Sequence, residues 1–369
     1  MGRLKKLKLT ILRHVFNQFY QLCYHLRGPQ QKRVVFATMR NTELADNLKA
    51  LHHQFEQAEF DYDIRVLCFH YDRSRLSKLG FVWASLRSLY DLATAELFII
   101  DDYFFPLYAV NKHADNQVIQ LWHAIGSLKK FGLSLPGAQH SVIKPHTNYD
   151  WVLINAEADK PAYTDAFDID ASHVLALGSP MLDQLATQSL TVSHRPQRLL
   201  YAPTYRKGNA KAVTTYIRDF LKASQDLTEP WELYVSVHPY LKLPALQGSL
   251  APNIHLFQDP EQVKQLLPTI DVFITDYSSL SLTFSYFERP ILLFTPDYAT
   301  YRLHCGFYVD YYHYLGAPHY AKATQVIAAI NQQVPTLDLS YVKQLKQRTF
   351  PHQDGHNSQR VFDFLTNLI

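Results

Sequence analysis

Hydrophobic positions alternate along the chain between short β-rich runs and longer segments with helical spacing. The strands predicted in the first half are RVVFATM (33–39), IRVLCF (64–69), ELFIID (96–101), QVIQLW (117–122) and DWVLIN (150–155). Helices are predicted between them, over 43–55 and 81–94. A strand, a helix and a further strand in succession indicate parallel pairing, so residues 33–196 are predicted to form one α/β domain.

The same alternation returns after a polar stretch at 187–197, which is the predicted linker. The strands of the second series are RLLYAP (198–203), ELYVSV (232–237), IHLF (254–257), DVFIT (271–275) and PILLF (290–294). Its helices are predicted near 211–226, 279–287 and 321–332. A second domain is therefore assigned to 197–369, and its closing helix, 358–369, is expected to cross back onto the first domain.

Two such series predict an α/β fold with two doubly wound Rossmann-type domains that face a cleft. The length of 369 residues suits two domains, and 47% hydrophobic residues without a low-complexity tract indicate a folded chain. The three cysteines show no disulfide or zinc spacing, which favours a reducing compartment. Functional side chains are expected in loops that follow the carboxyl ends of the parallel strands.

Residues 1–32 have a different pattern, because their large apolar side chains recur at steps of three and four. Residues 1–33 hold eight Lys or Arg and no acid, whereas the rest of the chain holds 28 basic and 33 acidic side chains. We predict an amphipathic helix that lies on an anionic membrane surface. The alternative is a helix docked on its own domain. A nucleic-acid partner is not expected, and no apolar run is long enough to span a bilayer.

The first candidate loop is WHAIGSLKKFG, which leaves the strand QVIQLW. A neutral imidazole at His123 can accept a proton from an attacking hydroxyl, and Lys129 and Lys130 would attract a phosphorylated substrate. In the alternative interpretation His123 is a hydrogen-bonded loop histidine and the lysines begin a solvated helix.

Two further loops follow strands of the second series. In YAPTYR, Arg206 offers a planar fork for phosphate oxygens and Thr204 a hydroxyl. In FITDYSSL, Ser278 and Ser279 open a predicted helix whose free N–H groups suit phosphate. Asp276 and these serines are equally typical of ordinary helix capping. His238 also follows a strand.

Several kinds of chemistry are excluded because their motifs are missing. There is no GxxxxGK[ST], GxGxxG, HExxH or GxSxG motif. The triplets Asp61-Tyr62-Asp63 and Asp168-Ile169-Asp170 precede predicted strands and are interpreted as solvated turns. We therefore expect no metal site and no cofactor.

Seven motifs in order between about residue 120 and residue 361 resemble the CDP-glycerol glycerophosphotransferases that build bacterial wall teichoic acid. They are WHAIGSLKKFG, LGSPMLD, LYAPTYR, VSVHP, DVFITDYSSLSLTF, RPILLFTPD and DGHNSQRV. The resemblance implies a GT-B-like fold, CDP-glycerol bound mainly by the C-terminal domain, and peripheral attachment to the cytoplasmic face of the membrane. That attachment agrees with the basic N-terminal helix.

The stretch IIDDYFFP (99–106) and the compact length resemble the primase branch of this family. That branch implies transfer of glycerol phosphate from CDP-glycerol to an undecaprenyl-diphosphate-linked disaccharide of N-acetylmannosamine and N-acetylglucosamine, with release of CMP. The alternatives are a glycerol- or ribitol-phosphate polymerase, a capsule enzyme of the same family, a GT-B nucleotide-sugar glycosyltransferase and a nucleotide-binding protein without activity. The chain departs from the family at Met181, where arginine is common, and at Cys305, where an Arg-Gly pair is common.

The resemblance also implies roles for the candidate residues. His123 is expected to be the base on the acceptor hydroxyl, and the second histidine, His238, is expected to contact the donor diphosphate with Arg206. Ser278, Ser279 and the helix N-terminus are expected to hold the phosphates, with Thr204 as a further donor. Asp276 has two candidate roles, capping the helix or orienting a neighbour such as His238.

Overall fold

Two compact units make up the chain in the computed structural model, which describes residues 3–70, 75–188, 197–206, 208–228, 230–241 and 250–369. The first unit comprises Met1–Thr187 and Phe350–Ile369, and the second comprises Gln188–Thr349. Most of the predicted linker, residues 189–196, lies outside the described residues.

The first unit is built on a parallel sheet. Its elements are α1 (Arg3–Arg27), β1 (Arg33–Thr38), α2 (Asp46–Glu56), β2 (Asp63–Cys68), α3 (Arg75–Thr94), β3 (Leu97–Ile100), α4 (Phe105–Tyr108), β4 (Gln117–Gln120), β5 (Trp151–Ile154), α5 (Lys160–Phe167), β6 (Val174–Ala176) and α6 (Asp183–Ala186). Among the described residues six strands pair in parallel in the order β2-β1-β3-β4-β5-β6. The strand order reverses between β1 and β3, where open parallel sheets bind ligands.

The second unit repeats this architecture. Its elements are β7 (Gln197–Ala202), α7 (Ala210–Ala223), β8 (Trp231–Ser236), β9 (Ile254–Phe257), α8 (Pro260–Leu266), β10 (Val272–Thr275), α9 (Leu280–Phe284), β11 (Ile291–Phe294), α10 (Tyr298–Cys305), α11 (Tyr311–Leu315), β12 (His319–Tyr320), α12 (Ala323–Gln332) and α13 (Ser340–Thr349). In its described part six parallel strands are ordered β12-β11-β10-β7-β8-β9. The predicted α/β fold with two parallel-sheet domains is confirmed.

The closing helix, α14 (Asn357–Thr366), belongs to the first unit although it follows the second along the chain. Val361 and Leu365 are buried in the same apolar cluster as Leu48 and Leu51 of α2. The rings of Phe55 and Phe362 meet edge to face at 4.8 Å. Burial of these side chains is the driving force that returns the chain to the first unit.

Polar contacts fix where α14 begins. Asp183 accepts hydrogen bonds from the backbone N–H groups of Asn357 at 2.8 Å and Ser358 at 2.7 Å. Arg360 donates to the carbonyl of Leu177 at 3.1 Å. The motifs LGSPMLD and DGHNSQRV are thus in contact, and their polar residues attach a helix to the turn after β6.

Helix α1 has a buried face and an exposed apolar face. Phe16, Tyr20 and Cys23 are buried in the core of the first unit, and the Tyr20 hydroxyl donates to Asn116 Oδ1 at 2.6 Å. The apolar side chains that stay 51–72% exposed are Leu4, Leu7, Ile11, Val15, Leu22 and Leu26. Part of the predicted apolar face therefore docks on the helix's own domain, as the alternative interpretation expected. Among the described helices, none is long and apolar enough to cross a bilayer.

We predict that Gly178→Ala destabilises the first unit more than Gly137→Ala. Both glycines have left-handed φ angles, +85° and +80°, so both substitutions cost about 1–2 kcal/mol of backbone strain. A Cβ at Gly178 would also lie 1.9 Å from Asn357 Oδ1, whereas one at Gly137 meets open space. Chemical denaturation should show an additional loss of about 1–3 kcal/mol for Gly178→Ala. Equal losses would contradict the close packing of this turn against α14.

Candidate active site

His123 lies at the carboxyl edge of the first sheet, three residues beyond β4. Its Nδ1 faces Asp102 Oδ2 at 3.5 Å, beyond good hydrogen-bond geometry, and the side chain is 28% exposed. Burial lowers the pKa of His123, and the Asp102 carboxylate offsets only part of this effect. The imidazole is therefore neutral at pH 7. A proton on Nδ1, facing Asp102, leaves the lone pair on Nε2 for a substrate hydroxyl.

The residue before His123 is in an unusual backbone conformation. Trp122 has a φ of +54°, which costs a non-glycine residue about 1–3 kcal/mol. Its indole stacks on Phe131 with a centroid distance of 5.2 Å and meets Phe167 edge to face at 5.3 Å. The turn that presents His123 is therefore strained, and the aromatic packing of Trp122 helps to hold it.

The rest of this loop is anchored by buried hydroxyls and carries the two lysines. Ser127 donates to Asp159 at 2.6 Å, and the Tyr163 hydroxyl donates to the carbonyl of Ala124 at 3.1 Å. Lys129 is half-buried and Lys130 is exposed. Both lysines lie in an irregular loop that leads into a short 3-10 turn, Gly132–Ser134. Attraction of a phosphorylated substrate by these lysines stays a prediction.

The carboxyl edge of β3 adds an acidic pair to which the sequence analysis assigned no role. Asp101 is buried, and burial raises its pKa to about 7. Its Oδ1 atom has no hydrogen-bond partner. Asp102 is the neighbour of His123 described above. Asp101 is the last residue of the predicted strand ELFIID and Asp102 follows it directly, so the strand-end rule that found His123 would also have found Asp102.

Another histidine near this loop is structural. His146 has a φ of +57°, and its ring stacks on Phe167 at 4.9 Å. Its Nδ1 lies 3.0 Å from the Tyr149 hydroxyl, and burial lowers its pKa to about 4. His146 is therefore neutral across the working range and contributes shape to the aromatic cluster around Trp122.

Arg206 is the centre of a buried ionic cluster at the carboxyl edge of the second sheet. Its Nε donates to Asp297 Oδ2 at 2.9 Å, and its Nη2 donates to Asp276 Oδ2 at 2.8 Å and Asp297 Oδ1 at 3.1 Å. Its Nη1 donates to the Thr204 carbonyl at 2.5 Å. Burial by itself lowers the pKa of Arg206, but the two carboxylates outweigh burial and raise it. The guanidinium thus uses most of its donors within the protein.

Aromatic rings enclose the same guanidinium. Its carbon lies 4.8 Å from the ring centroid of Tyr277 and 4.6 Å from that of Tyr301, and these two rings stack at 3.8 Å. The Tyr277 hydroxyl donates to Asp297 Oδ1 at 3.0 Å. The predicted contact between Arg206 and a diphosphate stays untested, and the geometry favours a role in shaping the loops.

Asp276 does not cap α9, and the neighbour that it holds by a side-chain hydrogen bond is Arg206. Its Oδ1 accepts from the backbone N–H of Thr204 at 2.8 Å and of Tyr277 at 2.5 Å, while Oδ2 accepts from Arg206. The residue at the N-cap of α9 is Ser279, without a side-chain cap. Asp276 therefore joins the loop after β7 to the loop after β10.

The serine hydroxyls of the loop after β10 are more accessible than the threonine hydroxyl of the loop after β7. Ser278 and Ser279 are half-exposed directly after Tyr277, and Ser278 Oγ accepts from the Leu280 N–H at 3.2 Å. Thr204 Oγ1 is buried without a hydrogen-bond partner. α9 has five residues and continues as a 3-10 turn over Ser285–Phe287, so the helix predicted over 279–287 is found nearly in full. Phosphate binding by Ser278 and Ser279 stays a prediction.

His238 stands after β8 with one nitrogen committed to the backbone. Its Nδ1 accepts from the Tyr240 N–H at 3.2 Å, and its ring stacks on Tyr205 at 4.5 Å. Burial lowers the pKa of His238. The neutral ring therefore carries its proton on Nε2 and can donate a hydrogen bond to a phosphate oxygen. Through Tyr205 this histidine joins the loop that contains Thr204 and Arg206.

Each of the two parallel-sheet units presents a histidine beyond a strand end, which is typical of α/β enzymes. The family model for CDP-Glycerol:Poly(glycerophosphate) glycerophosphotransferase matches residues 18–367. The chain belongs to this family, as its motifs predicted, and is a phosphotransferase of teichoic acid synthesis.

Individual relatives match along nearly their full length. The teichoic acid ribitol-phosphate primase of Bacillus spizizenii is 29% identical and covers 99% of both chains. The teichoic acid glycerol-phosphate primase of Bacillus subtilis is 27% identical over 88% of this chain and 90% of its own. The structure of the wall teichoic acid polymerase TagF is similar, with a TM-score of 0.74, 18% identity and coverage of 100% of this chain and 98% of that one. At this identity the structural match shows the fold alone.

We predict that Asp102→Asn shifts the acid limb of the pH–rate profile to lower pH. The carboxylate raises the pKa of His123, so its removal leaves burial less opposed and lowers that pKa further. The rate at neutral pH should also fall by about 10- to 100-fold, because an imidazolium formed during reaction loses its counter-charge. Kinetics of transfer between pH 4.5 and 8 measure both effects.

Asp168→Asn is the matched control, since this carboxylate of the same unit is 66% exposed and pairs with Lys144. It should leave the profile unchanged. An acid limb that stays in place, or moves to higher pH, in Asp102→Asn would rule out the electrostatic role of Asp102.

Proposed function

We propose that this protein transfers glycerol phosphate from CDP-glycerol to a membrane-anchored undecaprenyl-diphosphate-linked disaccharide and releases CMP. This reaction is the priming step of wall teichoic acid synthesis. The observation that carries the proposal is the neutral His123, presented beside Asp102 at the carboxyl edge of the first sheet. Similarity to two primases along at least 90% of their lengths supports the priming role.

In the proposed reaction, a hydroxyl of the acceptor sugar attacks the phosphorus that bears glycerol. His123 Nε2 takes the hydroxyl proton, a new oxygen–phosphorus bond forms, and the bond between this phosphorus and the CMP oxygen breaks. The imidazolium that results is stabilised by Asp102. Positioning and neutralisation of charge do most of the work in phosphoryl transfer, so the protein must hold both substrates and the departing CMP phosphate.

The second unit supplies the donor-side groups in this proposal. His238 donates from Nε2 to a diphosphate oxygen, and Ser278 and Ser279 add hydroxyl donors. Arg206 acts as a positioning residue, since its guanidinium already neutralises Asp276 and Asp297. These donors do the work that a divalent cation performs in other phosphoryl transferases, and we propose that the reaction needs no metal.

A ribitol-phosphate primase is the second candidate. The observation that favours it is the 29% identity to a ribitol-phosphate primase along 99% of both chains. The two candidates share the His123 and His238 chemistry and differ in the polyol of the donor.

We further propose that the exposed apolar face of α1 attaches the protein to the cytoplasmic face of the membrane. Basic side chains on the same helix are exposed, including Arg3, Lys6 and Lys8. α3 packs against α1 and exposes Leu79 and Trp83, each to 75%. Insertion of these apolar groups and attraction of the basic groups to anionic lipid give two additive contributions to binding.

We predict that wild-type protein releases CMP from CDP-glycerol in the presence of the prenyl-diphosphate disaccharide, and that the lipid gains the mass of one glycerol phosphate. EDTA should leave the rate unchanged. His123→Gln should lower kcat by about 100- to 10,000-fold, because removal of a general base has this cost, and should retain donor binding. Mass spectrometry of the lipid and calorimetric titration of CDP-glycerol measure these quantities.

CDP-ribitol in a parallel reaction separates the two primase candidates. Extension of a glycerol-phosphate primer with no change in the disaccharide would show that the protein is a polymerase and not a primase. Release of UDP or GDP from nucleotide sugars would show that the protein is a glycosyltransferase. Undiminished turnover in His123→Gln would remove the proposed base.

We predict that Leu7→Glu combined with Ile11→Glu weakens binding to vesicles of anionic lipid at least tenfold, because two apolar side chains become charges that anionic lipid repels. Leu303→Glu, at an 85% exposed leucine of the second unit, is the control and should bind as the wild type does. Co-sedimentation at several salt concentrations measures both contributions. Equal binding by both variants would contradict the proposed membrane face.

A further inference from the structure

A buried glutamine joins the two strand ends that carry Asp102 and His123. Gln120, the last residue of β4, is fully buried. Its Nε2 donates to the carbonyl of Asp102 at 3.2 Å, and its Oε1 accepts from the N–H of Trp122 at 2.8 Å. One amide side chain therefore sets the spacing between the backbone of Asp102 and the residue before His123.

A buried asparagine bonds the backbone carbonyl of Trp122, the residue whose N–H is bonded to Gln120. Asn47, in the first turn of α2, is 1% exposed, and its Nδ2 donates to the carbonyl of Trp122 at 2.8 Å. Its Oδ1 accepts from the N–H of Met181 at 3.0 Å, in the turn after β6. Both backbone polar groups of the left-handed Trp122 are thus bonded to buried amide side chains.

We propose that Asn47 and Gln120 are positioning residues that hold Trp122 in its left-handed conformation and so aim His123 at the acceptor hydroxyl. Asn47 is far from His123 in sequence and outside its motif, whereas Gln120 lies three residues before the histidine, at the end of β4. Each satisfies a backbone group that the strained turn would otherwise leave unpaired in the protein interior. This inference rests on the proposed function for its kinetic consequence, and on the geometry alone for its structural one.

Asn47 also connects the histidine loop to the attachment of α14. Met181 lies between Leu177, whose carbonyl binds Arg360, and Asp183, which caps α14. The LGSPMLD motif therefore supports the His123 loop on one side and the closing helix on the other. The motif departs from the family at Met181, but the contact with Asn47 uses the backbone, which any residue except proline provides.

The test compares three buried amides of the same unit. Asn47→Leu and Gln120→Met remove the hydrogen bonds of the proposed pair while keeping similar volume. Asn116→Leu is the matched control, because Asn116 is fully buried and bonds Tyr20 and the Ala95 carbonyl at the amino end of β4, away from His123. All three variants are assayed as full-length protein for kcat, for KM of the CDP-polyol, and for stability by denaturation.

We expect Asn47→Leu and Gln120→Met to lower kcat by about 10- to 100-fold, as small displacements of a reacting group do, with donor KM changed less than about twofold. Asn116→Leu should lose comparable stability and keep its kcat. The proposal is overturned when all three variants lose kcat in proportion to stability, or when the first two raise the donor KM and keep kcat.

A second readout does not depend on turnover. The pKa of His123 is measured by NMR of the histidine ring carbons, with His123→Gln identifying the resonance. In Asn47→Leu and Gln120→Met it should rise towards the ordinary value of about 6.5, because a released loop becomes hydrated. In Asn116→Leu it should stay low. Absence of transfer by the wild type would refute the proposed function, whereas an unchanged His123 pKa in the first two variants would refute the positioning role.

Discussion

Parallel pairing is the constraint on which the rest of this structure depends. In both sheets the described strands all run in one direction, so the residues that follow each strand meet at one edge. His123, Asp102 and Trp122 come together in the first unit for this reason, although β3 and β4 are separate in sequence. Thr204, Asp276 and Asp297 come together in the second unit by the same rule, after β7, β10 and β11.

Each edge is stabilised by one kind of polar interaction. In the first unit, buried amides of Gln120 and Asn47 satisfy the backbone of a strained turn. In the second, the buried charge of Arg206 is compensated by Asp276 and Asp297. A buried charge that loses its partner costs about 3–5 kcal/mol, so the ionic cluster is a rigid support whose parts must be kept together. The half-exposed side chains at these two edges include the hydroxyls of Ser278 and Ser279 and the imidazoles of His123 and His238.

The alternating elements and the family could be predicted from the sequence because both depend on local signals. A strand-end rule is sufficient to find His123, His238 and the Ser278 loop. It places Asp276 and Asp297 after strands but does not show that they pair with Arg206, since they lie 70 and 91 positions away and only the sheet order brings the three side chains together. The same limit explains why Arg206 resembled a free phosphate ligand, why Asp276 resembled a helix cap, and why Asn47 was not noticed. α1 was predicted as a helix, but the division between its buried Phe16 and its exposed leucines depends on α3 and the sheet.

The return of α14 to the first unit has a consequence for how this protein folds. Asp183 and the N–H of Ser358 that it binds are separated by 175 positions, and the whole second unit lies between them. During synthesis the first sheet emerges early, but α14 is added only after the second unit has been made. Until then Leu48, Leu51 and Phe55 lack the side chains of α14 that pack on them. The first unit therefore cannot complete its folding before the second unit has been synthesised. A nascent chain stalled before α14 would carry a first unit with an exposed apolar surface, which chaperones bind.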